Sequence, residues 1–406
     1  MYPQIDRVKL VNYRSIAKCN VLLSPLTVLV GPNGSGKSNF VDALRFLRDA
    51  LRNTLDQAVR DRGGINQVRR VSIGHPNNFS ISVEIQLDET HRALYAVTVG
   101  AQPRAKFQVL REKCKIVGFL EQSSQFIVEK GKLVSGGRDL PQEIEPDRLF
   151  LAVASSFSAF RPVYDALSQS GFYNLNPDRL RSIQDPDPGE ILERDGRNIA
   201  SVLRRMEEEE APALERVFDY LRRAVPGIDR VRSTALGPKE TLDFFQSVVG
   251  SNGKWRFPAS GMSDGTLRFF GILIAIFQGS GIHAPHAKIP LIGIEEPEVA
   301  IHPGAALKLM DAILEATHST QILITTHSPE LLEHDLLQAD QILAVDSQSG
   351  ETTIAGIDEA SKSMIQERLM TAGELLRQAQ IEPSREQFRR ATQQLVLFDF
   401  IREPAQ

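Results

Sequence analysis

The sequence predicts an α/β fold in which a mainly parallel central sheet carries a β-rich lobe and an inserted helical lobe. Three observations predict it. The continuous apolar run Leu26–Val30 passes through a glycine-rich loop into an amphipathic helix. The runs Ile289–Ile294 and Gln321–Thr325 show the same uninterrupted hydrophobicity, as expected of strands buried on both faces of a parallel sheet. Between these ends the pattern turns first to period two and then to helical spacing, so the sheet must close around long insertions.

Taken in order, Ile5, Val8 and Leu10 lead into a turn at Asn12–Ser15, and Val21–Leu23 return from it. Beyond the glycine-rich loop, Phe40, Leu44, Leu47 and Leu51 recur at helical spacing, with Arg45, Arg48 and Arg52 on a different face. Ile81, Val83, Ile85 and Leu87 alternate. Strand-like runs near Ala93–Val99, Phe107–Lys113 and Gln125–Lys130 extend them into an antiparallel meander. Residues 146–235 are helix-rich, with a turn-forming stretch at Gln184–Gly189. The charge run Glu207–Glu210 reads as a solvated helix start.

Composition narrows the class. The chain has 406 residues, of which 42% are hydrophobic and 24% charged, which excludes a disordered or fibrous protein. Lysine and arginine total 47 against 51 acidic residues, a formal charge of −4, so a globally basic nucleic-acid coat is excluded. Only Cys19 and Cys114 are present, too few for a disulfide framework. Apolar runs such as Phe269–Phe277 are too short to span a bilayer, and the N-terminus alternates apolar and charged residues from Ile5. A cytoplasmic protein without a membrane segment is expected.

Gly31-Pro32-Asn33-Gly34-Ser35-Gly36-Lys37-Ser38 matches the G-x-x-x-x-G-K-[ST] phosphate loop. Its glycines let several N–H groups turn inward as an anion nest, and the following helix directs its positive end to the same place. Lys37 is expected on the β- and γ-phosphates and the Ser38 hydroxyl on magnesium, so the expected ligands are ATP and Mg²⁺. The apolar run ending in Glu295-Glu296-Pro297-Glu298 brings carboxylates to the ligand end of a parallel strand. Glu295 is expected to hold the metal and Glu296 to polarise the attacking water. A second apolar run ends in Thr325-Thr326-His327-Ser328-Pro329, where His327 is suited to hold a γ-phosphate or the water.

With these motifs the chain resembles the ABC-type ATPases of the SMC/RecF group, in their small OLD-like branch without a Toprim domain. Four blocks carry the resemblance: Val11–Phe40, Gly196–Leu203, Pro258–Phe270 and Leu291–Pro329. Residues 52–150 contribute almost nothing. The resemblance implies an ABC-type P-loop ATPase head without a long coiled coil. Arg14, Asn33, Gly34, Ser35, Gly36, Lys37 and Ser38 would bind nucleotide, and Glu296 and His327 would be catalytic. It also implies a homodimer that sandwiches two ATP molecules, with Ser263, Asp264 and Gly265 forming a signature loop that acts in trans. The expected segments are 1–150 (phosphate loop and antiparallel lobe), 151–257 (helical lobe and return strands), 258–345 (signature, carboxylate and histidine elements) and 346–406 (a helical tail).

The chain departs from the family pattern in three places. Glu295 stands where many relatives have aspartate, no heptad region separates Lys37 from Ser263, and the usual glutamine is not placed, Gln67 and Gln86 being weak candidates. No Asp-x-Asp pair follows Gln341, so any nuclease or Toprim-like effector is expected on a separate chain. Asp185-Pro186-Asp187 has the spacing of an acidic pair but no apolar strand before it, and reads as a loop. Arg60, Arg62, Arg69 and Arg70 form the one stretch weighed for DNA contact, against a solvated loop. The favoured function is an ATP-hydrolysing switch, the ATPase subunit of an anti-phage defence or DNA-repair system. The competing readings are a transporter nucleotide-binding subunit and an ATP-held dimeric binding module with little turnover.

Overall fold

A computed structural model describes residues 2–400 except 73, 75, 119–122, 251–252, 280–288 and 394. The chain opens with β1 (Gln4–Tyr13), β2 (Ile16–Leu22) and β3 (Leu26–Val30), then the helix Lys37–Arg52. There follow β4 (Asn78–Gln86), β5 (His91–Ala101), β6 (Phe107–Gly118), β7 (Ser123–Glu129) and β8 (Lys132–Ser135). The helical region contributes one short strand, β9 (Gly171–Tyr173), and the helices Ile199–Glu209 and Ala211–Ala224. A meander of β10 (Ile228–Leu236), β11 (Lys239–Ser247) and β12 (Lys254–Pro258) leads to the helix Asp264–Phe277. The rest comprises β13 (Leu291–Glu295), the helix Pro303–Ala316, β14 (Gln321–Thr326), β15 (Ile342–Gln348) and β16 (Glu351–Gly356), then short helices that include Ala372–Arg377 and Arg385–Gln393.

Three sheets result. The six-stranded sheet has the order β16-β15-β3-β14-β13-β9 and is parallel except at β16. It separates two cores: Val28 and Val30 point into one, with the helices Asp264–Phe277 and Pro303–Ala316, while Leu29 points into the other. Burial on both faces explains why β3, β13 and β14 read as unbroken apolar runs. The second core lies between this sheet and the seven-stranded antiparallel sheet β2-β1-β4-β5-β6-β7-β8. There Tyr13, Phe46 and Phe79 meet edge-to-face with centroids 5.4–6.1 Å apart, fixing the helix Lys37–Arg52 against the antiparallel lobe.

Three expectations change. Glu207–Glu209 closes the helix Ile199–Glu209, while Glu210 both ends it and opens the next helix, Ala211–Ala224; Glu210 is buried rather than solvated, its carboxylate accepting from the Gly279 N–H at 2.8 Å. Acidic residues favour a helix N-terminus, and the start signal belongs to Ala211–Ala224, whose first N–H groups bond the Glu210 carbonyl, while Glu207–Glu209 complete the helix before it. The boundary at 345/346 falls inside β15, and the expected helical tail begins with the hairpin β15–β16 on the central sheet. Likewise, β9 of the helical region pairs with β13 and belongs to that same sheet. Among the described residues the longest helix has 16 residues, and none is long and apolar enough to cross a membrane.

Candidate nucleotide site

Parallel pairing sets the site. Thr326 lies level with Val30 and Glu295 with Thr325, so β3, β14 and β13 deliver the phosphate loop, His327 and the carboxylates at one end of the sheet. Gly34 and Gly36 have φ of +79° and +105°, backbone that favours glycine. Gly31 sits so close to β15 that a Cβ there would lie 2.0 Å from the Val345 carbonyl. Asn33, Gly34 and Ser38 are exposed and Ser35 is buried. Lys37 is buried and donates to the carbonyls of Gly31 at 2.7 Å and Pro32 at 2.9 Å. Burial lowers its pKa, partly offset by the carboxylates of Glu296 and Glu298. The lysine therefore senses both acids across the strand ends.

Glu296 adopts φ +46°, unusual for a residue with a Cβ, and its N–H is held by the Thr325 carbonyl at 3.0 Å and hydroxyl at 3.2 Å. Its carboxylate lies 3.5 Å from His327 Nδ1, and both side chains remain solvent-accessible. Glu298 lies behind them. One oxygen accepts from the Thr326 hydroxyl at 2.6 Å and the other is buried without a hydrogen-bond partner. Arg268, on the helix Asp264–Phe277, donates to the Glu296 carbonyl at 3.2 Å. Burial lowers the arginine's pKa, against the opposing pull of Glu298 and Glu296.

Not every expected residue has the expected partner. Glu295 accepts from Arg194 at 3.0 Å. That arginine comes from a loop organised by buried Asn198, whose amide bonds Asp187, the Ile191 carbonyl and the Glu193 N–H. Arg14 lies in the β1–β2 turn at φ +47° and pairs with buried Asp42 at 2.9 Å, alongside Tyr13, Arg45 and Arg62. Three arginines outweigh the burial of Asp42 and hold its carboxyl below the usual range. Ser263 and Asp264 are exposed: the serine caps its own helix by accepting from the Thr266 N–H at 3.2 Å, and the aspartate pairs with Arg181. Gly265 packs against the Ala300 carbonyl, which a Cβ would approach to 2.3 Å.

The basic stretch dissolves into structure. Arg60 pairs with Asp56, and Arg62 is buried on Asp42 and Asp49. Arg69 reaches Asn66 and the Pro76 carbonyl, while buried Arg70 reaches Ser15 and Glu351. Asp185 pairs with Lys239 at 2.5 Å, and Asp187 accepts from the Gly189 N–H and the Asn198 amide, so both acids are committed within the chain. Gln67 adjoins Val68, whose carbonyl accepts from the Arg14 N–H, whereas Gln86 pairs with Gln4 at the opposite end of β1. Glu298, Arg268 and Arg194 were not assigned from the sequence; only the spacing Glu-Pro-Glu signalled the first.

Magnesium fits this end of the sheet. Exposed Ser38 and the unpartnered Glu298 oxygen are hard donors, and among the described residues no three His, Cys, Asp or Glu side chains form a self-sufficient cage. A few protein oxygens completed by phosphate and water is the usual arrangement for this ion.

Comparison with known proteins agrees. Residues 4–130 match the family described as "AAA ATPase domain". Residues 148–333 match "AAA domain, putative AbiEii toxin, Type IV TA system". The curated Endonuclease GajA of Bacillus cereus (strain VD045) is 24% identical over 362 residues, covering 81% of this chain and 56% of the endonuclease. The chain thus spans little more than half of that relative. An SMC head crystallised with the C-terminal winged-helix domain of ScpA aligns over 88% of this chain and 99% of its own, with a TM-score of 0.51 and 15% identity. A second SMC head, with an extended coiled coil and derived from Pyrococcus furiosus, covers 90% of this chain and 99% of its own at 14% identity and TM-score 0.48. The chain thus carries matches to two AAA-type ATPase-domain families, over residues 4–130 and 148–333, and shares the fold of an SMC head.

Proposed function

We propose that this chain binds Mg²⁺-ATP in the phosphate loop, hydrolyses it, and dimerises around it as the ATPase subunit of an anti-phage defence or DNA-repair system in the cytoplasm. The observation that carries the reading is the convergence of Lys37, Glu296, Glu298 and His327 at one end of the central sheet, with Glu296 3.5 Å from His327. Lys37, which now occupies loop carbonyls, has the charge and position to take phosphate oxygens instead. Glu296 accepts a proton from water, and His327 orients the carboxylate or the terminal phosphate. Ser38 and Glu295, the latter once released by Arg194, would hold magnesium, with the unpartnered Glu298 oxygen as a further donor, and the ion would neutralise charge on the transferred phosphoryl group.

The defence role rests on the resemblance to the OLD-like branch together with the likeness to Endonuclease GajA, and the dimer on exposed Ser263 and Asp264 at the N-terminus of a long apolar helix. We assign nuclease activity to a separate effector because the paired aspartates that resembled a second metal site are bonded within the chain. The experiment is nucleotide affinity for the purified chain and for Lys37→Ala. The expected result is ATP binding by the wild type and its loss, by at least ~100-fold, in a variant that melts like the parent. Equal affinity in both would show that the loop is not the nucleotide site.

A further inference from the structure

The phosphate loop is fastened from a segment that no motif marks. Thr352 lies in β16, the antiparallel edge strand, and is 1% exposed. Its hydroxyl donates to the Ser35 carbonyl at 2.8 Å. With its single proton spent there, it must accept at its 2.7 Å contact with the Ser15 hydroxyl. Ser15 in turn accepts from the Asn39 amide at 2.6 Å. The result is a one-directional chain of donors running from Asn39 through Ser15 and Thr352 to the Ser35 carbonyl. The backbone supports it from behind: the Thr352 N–H donates to the Ser15 carbonyl at 3.0 Å, and Arg70 donates to that carbonyl while pairing with Glu351 at 3.0 Å.

A consequence follows from peptide geometry. The Ser35 carbonyl and the Gly36 N–H belong to one planar trans peptide and point to opposite sides. Anchoring the carbonyl on Thr352 therefore turns the Gly36 N–H to the other face of the loop. Gly36 opens the helix that carries Lys37 and Ser38, where N–H groups gather for an anion. The fit leaves no spare volume, since a Cβ on Gly36 would lie 2.2 Å from Thr352 Oγ1. Glycine is thus required at 36 both for its φ of +105° and to admit this hydroxyl.

We propose that Thr352 is a positioning residue for nucleotide binding, which holds the Gly36 N–H in the orientation that receives a phosphate oxygen. It acts through the loop and touches no nucleotide atom. The inference rests on the ATP site proposed above.

The test measures Mg²⁺-ATP affinity and steady-state hydrolysis for the wild type, Thr352→Val, Thr352→Ser, Ser15→Ala and the Thr352→Val/Ser15→Ala pair. Valine keeps the shape and removes the donor. It should raise Kd about 10-fold while leaving kcat at saturating ATP within about 3-fold. Serine, which restores the hydroxyl, should bind as the wild type does. Ser15→Ala should weaken binding about 3-fold alone and add nothing to Thr352→Val, because the relay is already broken. If Thr352→Val does not fold, the Thr352→Ser and Ser15→Ala arms carry the test unchanged. Wild-type affinity in Thr352→Val or Ser15→Ala, equal losses in Thr352→Val and Thr352→Ser, or a loss confined to kcat overturns the proposal. A wild type that binds no ATP overturns the site itself, an outcome distinct from these.

Discussion

At the scale of single residues the site is built on exceptions. Glu296 accepts a left-handed backbone that β-strand residues avoid, at a cost of order 1–3 kcal/mol, and the two Thr325 bonds hold it there. Such strain turns the carboxylate toward His327 and away from the continuing strand direction. Glu296→Gln should retain ATP affinity within about 3-fold and lose turnover by about 100-fold or more, because an amide accepts a hydrogen bond but takes no proton. Single-turnover hydrolysis checks it; turnover close to wild type would move the base to Glu298 or His327. The sequence made the phosphate loop, the carboxylates and His327 legible because each sits at a strand end with its own pattern. Arg194 and Arg268 were not legible, since each reaches the site across more than twenty residues of sequence with no periodic signal. Thr352 was hidden for the same reason, its partner Ser35 being 317 residues away.

At the scale of elements, runs buried on both faces or strictly alternating were read correctly, as β3, β13, β14 and the β4–β7 meander show. Ends and attachments were not. Glu207–Glu210 reads as one helix start but spans a junction, closing Ile199–Glu209 and opening Ala211–Ala224, and buried Glu210 accepts from the distant Gly279 N–H. The C-terminal segment is likewise held by tertiary contacts: Lys9 and Lys113, both buried, donate to the carbonyls of Asp399 and Phe398 at 3.1 and 2.6 Å. Another buried link joins β6 to the short helix Phe150–Ala154. Glu112 accepts from the N–H groups of Phe150 and Leu151 at 2.6 and 2.8 Å and from the Tyr95 hydroxyl at 3.0 Å. Burial outweighs these donors and raises its pKa to about 7. A carboxyl whose pKa is raised on folding contributes stability below its unfolded value, and that contribution fades as pH climbs through about 7. Denaturant unfolding should therefore show stability falling between about pH 4.5 and pH 7, with a shallower slope in Glu112→Gln. Identical slopes would assign the pH dependence elsewhere.

At the scale of the whole molecule, the carboxylate end of β13 and the helix Asp264–Phe277 are joined within one chain, since Arg268 donates to the Glu296 carbonyl. Ser263 and Asp264 face solvent at the start of that helix, and Gly265 sets its approach to Ala300. In the proposed function, a second copy would supply a nucleotide phosphate to this helix N-terminus, and ATP would be the adhesive of the dimer. The central claim is that ATP, held until Glu296 acts, brings two chains together through Ser263. It is tested most directly by the solution mass of Glu296→Gln with and without Mg²⁺-ATP, using light scattering on a sizing column, with Glu296→Gln/Ser263→Arg as control. The account predicts a shift with ATP from the 45.1 kDa monomer to twice that mass, and no shift in the control. ATP-saturated Glu296→Gln that stays at the monomer mass, or a control that dimerises equally well, would contradict it.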